Sequence, residues 1–174
     1  MQFVNFPLHP ETPAEGISLL QLFGGESARP RIQASQARLK QIAATEGLPL
    51  SDREMTYSSR LAQELGVWAT EKGKGAVYHN AAFRAYFVDG LAISDPDVLV
   101  KVAASAGLDS TEARKVLGQR RYREAVDREW EICRAAGITS VPTFEAGGRR
   151  VVGAQPYEEL ARLVEAAGAK RRAP

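Results

Sequence analysis

The hydrophobic period changes twice along this chain, and that pattern constrains the fold more than any other feature. The opening stretch MQFVNFPL alternates Phe3 and, after a slip, Phe6 and Leu8 with polar residues, then runs into Pro7, Pro10 and Pro13. Prolines cannot donate to a ladder and they restrict the residue before them, so the stretch predicts one short strand over residues 1–8 followed by an extended loop. From Arg31 the spacing turns helical and stays so for roughly a hundred residues. Ile32, Leu39, Ile42 and Ala43 mark a helix stopping near Gly47; Leu61, Leu65 and Trp68 mark the next. Val77, Ala81, Phe83, Tyr86 and Phe87 form an aromatic one ending at Asp89-Gly90.

Cap signals punctuate the rest of the helical block. Ser94-Asp95-Pro96 offers an acceptor side chain at the N-cap and a proline whose missing N–H would have been unpaired anyway. Asp109 followed by Glu112 has the spacing of a capping box. Tyr122, Val126, Trp130 and Cys133 recur at four, four and three residues, up to Gly137. Strand periodicity then returns: Val141, Pro142 and Phe144 precede Gly147-Gly148, a two-residue turn of the kind favoured in hairpins, and residues 149–152 supply the returning strand. Pro156 opens a final helix whose Leu160, Leu163, Val164 and Ala167 share one face. The order is strand, helical block, hairpin, helix: an α/β sheet split in sequence around an all-helical insert.

Composition excludes several classes. With 44% hydrophobic and 25% charged residues over 174, the chain matches an ordinary folded protein and carries none of the charge excess of disordered segments. The net charge of +2 is small, and opposite charges are interspersed outside the tail Lys170-Arg171-Arg172, so no basic face for nucleic acid is expected. No apolar run approaches a membrane span, and no secretory leader pattern opens the sequence; the expected compartment is the cytoplasm. Cys133 is the single cysteine, so no internal disulfide forms and no metal is expected. Cys133 shares its helical face with Tyr122, Val126 and Trp130, where a lone thiol behaves as a small buried hydrophobe. His79, on a helix with Phe83, has no nucleophile near it in sequence and reads as a packing residue.

Residues 138–163, ITSVPTFEAGGRRVVGAQPYEELARL, are similar to the closing segment of DsbA-family thioredoxin folds. The matching pieces are Gly137-Ile138-Thr139-Ser140-Val141-Pro142-Thr143-Phe144, the Gly147-Gly148 turn, and Val152-Gly153-Ala154-Gln155-Pro156. Phe83-Arg84-Ala85-Tyr86-Phe87, Ile93-Ser94-Asp95-Pro96 and Ala106-Gly107-Leu108-Asp109 resemble the helical insert of the FrnE-like branch of thiol-disulfide oxidoreductases. Phe6-Pro7-Leu8-His9-Pro10-Glu11, with Pro13 and Gly16, resembles that branch's second strand and the loop after it.

The resemblance implies a thioredoxin-like portion over residues 1–29 and 137–174 and a helical insert over residues 30–136. It also implies that the sequence starts at the second strand, so that the first strand, the redox-motif helix and its Cys-x-x-Cys are missing. In the family the Val-Pro peptide is cis, and the resemblance makes Val141, Pro142 and Thr143 the substrate-contact residues, aligning an extended peptide or thiol substrate by strand-like pairing. Redox chemistry needs a thiolate at a helix N-terminus. Neither Cys133 nor any serine stands there, so no catalytic residue is assigned and the chain as given is expected to be inactive in disulfide exchange.

Two other readings stand beside this one. The first is a non-redox, peptide-binding or chaperone-like relic, in which residues 2–8 pair directly with residues 143–146 or a partner chain, as in a homodimer, fills the gap. The second is a protein like the glutathione-dependent 2-hydroxychromene-2-carboxylate isomerases, with a serine in place of the redox cysteines and glutathione along the proline loop. In the principal reading no cofactor is expected.

Overall fold

A computed structural model describes residues 2–170 and divides the chain into two compact units, residues 9–127 and residues 1–8 with 128–174. Met1 of the expected first strand and Arg171-Arg172 of the basic tail lie outside the described residues.

The helical unit opens with elements that the proline-rich sequence conceals. β1 (Ile17–Ser18) leads directly into α1 (Leu19–Leu22), where Ser18 and Gln21 form a reciprocal capping box. A 3-10 turn follows at Glu26–Ala28, and then α2 (Arg29–Thr45). β1 pairs antiparallel with β2 (Met55–Thr56), Ile17 opposite Thr56. The extended loop expected after Pro13 therefore gives way to structure from Ile17 onward, because Ser18 and Gln21 satisfy the backbone donors that a short helix would otherwise leave open.

The expected helices then appear in order: α3 (Arg60–Glu71), α4 (Gly75–Phe87), α5 (Pro96–Ser105), α6 (Ser110–Gly118) and α7 (Arg123–Ala135). Asp95 caps α5 by accepting from the Asp97 N–H at 2.7 Å, and Asp109 caps α6 by accepting from the Glu112 N–H at 2.7 Å. Leu65, Trp68, Tyr78, Leu99, Ala103, Val116 and Leu117 form the core of this unit, each almost wholly removed from water. The Tyr78 hydroxyl donates to the Ala62 carbonyl at 3.0 Å, which satisfies a buried polar group, and burial pushes its ionisation far up. His79 is half-buried with ring contacts to Tyr78 and Phe83, a packing role.

Glu64 ties this unit together. Its side chain is 2% exposed and accepts from the Arg120 Nε and Nη2 at 2.8 and 2.6 Å and from the Arg60 Nε at 2.7 Å. Arg120 has a positive φ of 50°, the one such non-glycine among the described residues. It lies in the turn between α6 and α7. A buried carboxylate is tolerated because two guanidiniums replace its water.

The second unit is small. The end of α7 is followed by Gly137, whose positive φ lets the chain reverse while the Gly137 and Ile138 N–H groups close the helix on the Arg134 and Cys133 carbonyls. β3 (Thr143–Ala146) and β4 (Arg149–Val152) pair antiparallel, with Thr143 opposite Val152 and Ala146 opposite Arg149. Gly147 and Gly148 both have positive φ, as a type I′ turn requires. α8 (Tyr157–Ala166) packs on the hairpin, burying Ala161 and Leu163.

The strand expected over residues 1–8 is not formed in the described residues. The Asn5 backbone N–H and side-chain amide both donate to the Glu129 carboxylate, at 2.9 and 2.6 Å, and the Cys133 thiol donates to the Asn5 carbonyl at 3.5 Å. A residue whose main-chain donor and acceptor are both taken by a helix has none left for a ladder, and Pro7 has no donor to give. Nor, among the described residues, do residues 2–8 pair with β3, one of the two arrangements that would fill the gap in the relic reading; β3 pairs there with β4. These ties, together with Arg150 to Ala136, all run within the unit of residues 1–8 and 128–174, and the division between the compact units falls within α7.

Candidate functional site

The three residues that the sequence singles out lie together where the loop after α7 becomes β3. The Val141–Pro142 peptide is cis. The Pro142 carbonyl accepts from the Gly153 N–H at 2.8 Å, which locks the loop onto the far end of β4. The Thr143 hydroxyl donates to the Ser140 carbonyl at 2.7 Å, closing the turn from its other side. Thr143 thus shapes the loop with its side chain and leaves its main chain to meet anything outside.

Hydrogen-bond alternation along an antiparallel ladder shows which main-chain groups are free. The two-residue turn makes Ala146 and Arg149 a bonded pair, so Phe144 with Val151 is the next and Pro142 with Gly153 the one after. Thr143 and Glu145 therefore turn their N–H and C=O groups to the open edge of β3. Val141, just ahead of them, is 44% exposed, and among the described residues neither its N–H nor its C=O has a hydrogen-bond partner. Backbone donors and acceptors in a row along an open strand edge are what an extended peptide can pair with.

Residues that sequence reasoning passed over hold this edge in place. Arg150 donates to the Glu145 carboxylate across the hairpin, with Nη2 at 2.9 Å, and its Nη1 donates to the Ala136 carbonyl beyond the end of α7 at 2.8 Å. One guanidinium thereby links the helix end, the loop and both strands. The two-residue turn fixes the register that places residue 150 opposite residue 145, so the pair was present in the sequence as a consequence of Gly147-Gly148.

Cys133 supplies no reactive thiol. It is buried, and burial, then the nearby Glu129 carboxylate, push its ionisation above the ordinary thiol range. A thiolate would be disfavoured twice, by lost hydration and by a like charge. No group of three or more potential metal ligands occurs among the described residues, and no helix among them is long and apolar enough to cross a membrane.

Comparison with known proteins bears on the fold and on the family. The family model of the DSBA-like thioredoxin domain matches residues 1–165. A curated relative, the uncharacterised protein YwbO of Bacillus subtilis (strain 168), is 36% identical over 91 residues, half of this chain and 44% of the relative. The match thus spans less than half of that relative's length. Among solved structures, a probable DsbA oxidoreductase from Streptomyces coelicolor superposes with a TM-score of 0.84 at 27% identity, over 96% of this chain and 75% of that one.

Proposed function

Since the chain belongs to the DSBA-like thioredoxin domain family, we propose that it is the substrate-binding and helical part of a thiol-disulfide oxidoreductase of the FrnE-like branch, whose reactive dithiol comes from outside residues 1–174. The observation that carries this reading is the open edge at Val141: unpaired main-chain groups beside a family-matched Val-Pro-Thr loop, with the one cysteine of the sequence held buried and protonated. Val141 and Thr143 align an extended segment of substrate by main-chain pairing, and Pro142 fixes the direction in which that segment runs. The substrate disulfide or thiol is then presented to a nucleophile that residues 1–174 do not supply. The substrate class is an extended, cysteine-bearing peptide, and the compartment is the cytoplasm.

Two measurements test the reading. Insulin reduction by the chain of this sequence should show no thiol-dependent turnover, and turnover that survives Cys133→Ser would overturn it. Translation of the coding DNA upstream of Met1 in the same frame should give a Cys-x-x-Cys about 20 to 30 residues before Phe3. A serine in that place would point to the glutathione-dependent isomerases, and a stop codon to a binding module without redox chemistry.

A further inference from the structure

The chain leaves α4 through Asp89-Gly90, the single Asp-Gly step among the six aspartates of the sequence. The peptide that joins these two residues is flanked by hydrogen bonds but takes part in none among the described residues. The Asp89 N–H donates to the Arg84 carbonyl at 3.0 Å and the Leu91 N–H to the Ala85 carbonyl at 2.8 Å, while the Gly90 N–H between them has no partner there. Both residues are exposed, Gly90 has a φ of +67°, and nothing lies within 4 Å of the place that a Cβ would take. The Arg84 Nε stands 3.9 Å from the Asp89 Oδ2, beyond hydrogen-bond reach. The other five aspartates are held. Asp52 pairs with Lys40, and the amide after it donates to the Gln36 Oε1 at 3.1 Å. Asp95 caps α5 and precedes a proline, which has no N–H. Asp97 pairs with Arg114 at 2.7 Å, Asp109 caps α6, and Asp127 pairs with Arg60 at 2.8 Å.

We propose that Asp89-Gly90 is a site of spontaneous isomerisation, converting to an isoaspartyl linkage in the folded chain. The Gly90 nitrogen attacks the Asp89 Cγ. The new N–Cγ bond closes a succinimide ring while the Cγ–OH bond of the neutral carboxyl breaks, and the amide proton leaves with that hydroxyl as water. Water then reopens the ring. Cleavage of the N–Cγ bond restores aspartate; cleavage between the nitrogen and the Asp89 carbonyl carbon leaves the chain running through the side chain, one methylene longer, with a free α-carboxylate. Because the reacting groups are already neighbours, the rate is set by how freely the peptide between them turns into the attacking geometry. Glycine removes the side chain that would hinder the turn, and an unbonded N–H means that no hydrogen bond is lost in making it. The longer product separates the two bonds that close α4, so the Leu91 N–H no longer meets the Ala85 carbonyl.

Peptide mapping of the native chain, incubated in neutral buffer, reads the reaction directly, because a protease that cuts ahead of aspartate does not cut ahead of isoaspartate. The rates are compared with those of free peptides spanning residues 86–93 and 106–113, which lack the fold. Asp89 in the native chain should isomerise at more than about a tenth of its free-peptide rate, and Asp109, held as a cap, at less than about a tenth of its own. The ring intermediate, lighter by one water, should appear on the fragment that carries residues 89 and 90. Asp89→Glu, whose longer side chain closes a larger ring more slowly, should lose that species while keeping its dichroism and melting temperature. An Asp89 rate below a tenth of the free-peptide value would show that the fold clamps this peptide as it does the others, and would overturn the proposal. So would an Asp109 retardation no greater than that of Asp89, or a lighter species that persists in Asp89→Glu.

Discussion

Replacing Glu64 by Gln should destabilise the helical unit by about 3 kcal/mol, the lower part of the range for breaking a buried ion pair from one side. The structure sets the direction and the size. The carboxylate is 2% exposed and is held by three guanidinium nitrogens within 2.8 Å, so a neutral amide removes the charge that both guanidiniums face inside the unit, although Arg60 keeps the Asp127 carboxylate 2.8 Å from its Nη2. The Gln amide can present only one oxygen to them and must turn its own N–H groups towards a donor. Arg120 is 43% exposed and recovers part of its hydration, which keeps the loss from reaching the upper end. Arg60, at 16% exposure, recovers less.

At about 2–4 °C per kcal/mol for a chain of this size, the melting temperature should fall by about 6–12 °C, followed by far-ultraviolet dichroism and by the emission of the buried Trp68. The pH dependence gives an independent check. Burial raises the ionisation of Glu64, but hydrogen bonds and attraction from Arg120 and Arg60 outweigh it, and the net effect holds the group below the usual carboxylate range. Its stabilisation is therefore complete above the unfolded carboxylate range and is lost as pH falls through the lower folded value. Native chain should lose stability over that acid interval, and the Gln variant should show a shallower slope there. A melting temperature within about 2 °C of the native one, with an unchanged acid slope, would refute the argument.

Two further measurements, one of them on a substitution, probe the hairpin unit. The Cys133 thiol should react with a small disulfide reagent at least about a hundredfold more slowly in the native chain than in urea, because its thiolate is disfavoured and covered; equal rates would show that the residue is accessible. Gly147→Ala should destabilise the hairpin by about 1–2 kcal/mol in denaturant titration, since φ there is +55° and the new Cβ would meet the Ala167 Cβ at 3.0 Å; an unchanged midpoint would contradict the turn geometry.

Much of this architecture was legible because local rules and tertiary packing agree over most of it. Asp95-Pro96 and Asp109 announce α5 and α6 through donors that any helix must satisfy, and Gly147-Gly148 announces a turn that only two positive-φ residues can make. The Val141-Pro142-Thr143 loop was found by resemblance, and the free main-chain groups around it follow from the register. What the sequence hid depends on partners distant along the chain. Alternation in residues 1–8 gives a strand pattern, but a strand exists only beside another strand, and Asn5 finds Glu129 and Cys133 on a helix instead. Glu64 with Arg120, 56 residues apart, leaves no periodic mark either. The reverse held at β1, where two paired residues are too short for periodicity to reveal.

The claim on which the account turns is that Val141 offers its main chain to an extended peptide. Nitrogen-15 spectra of the chain, titrated with a short, extended, cysteine-bearing peptide, test it most directly. The account predicts that the Val141 and Thr143 amides shift in a saturable way and become protected from exchange, while the core amides of Leu65 and Leu99 stay where they are. Saturable binding that leaves Val141 and Thr143 unmoved, or no binding at millimolar peptide, would contradict it.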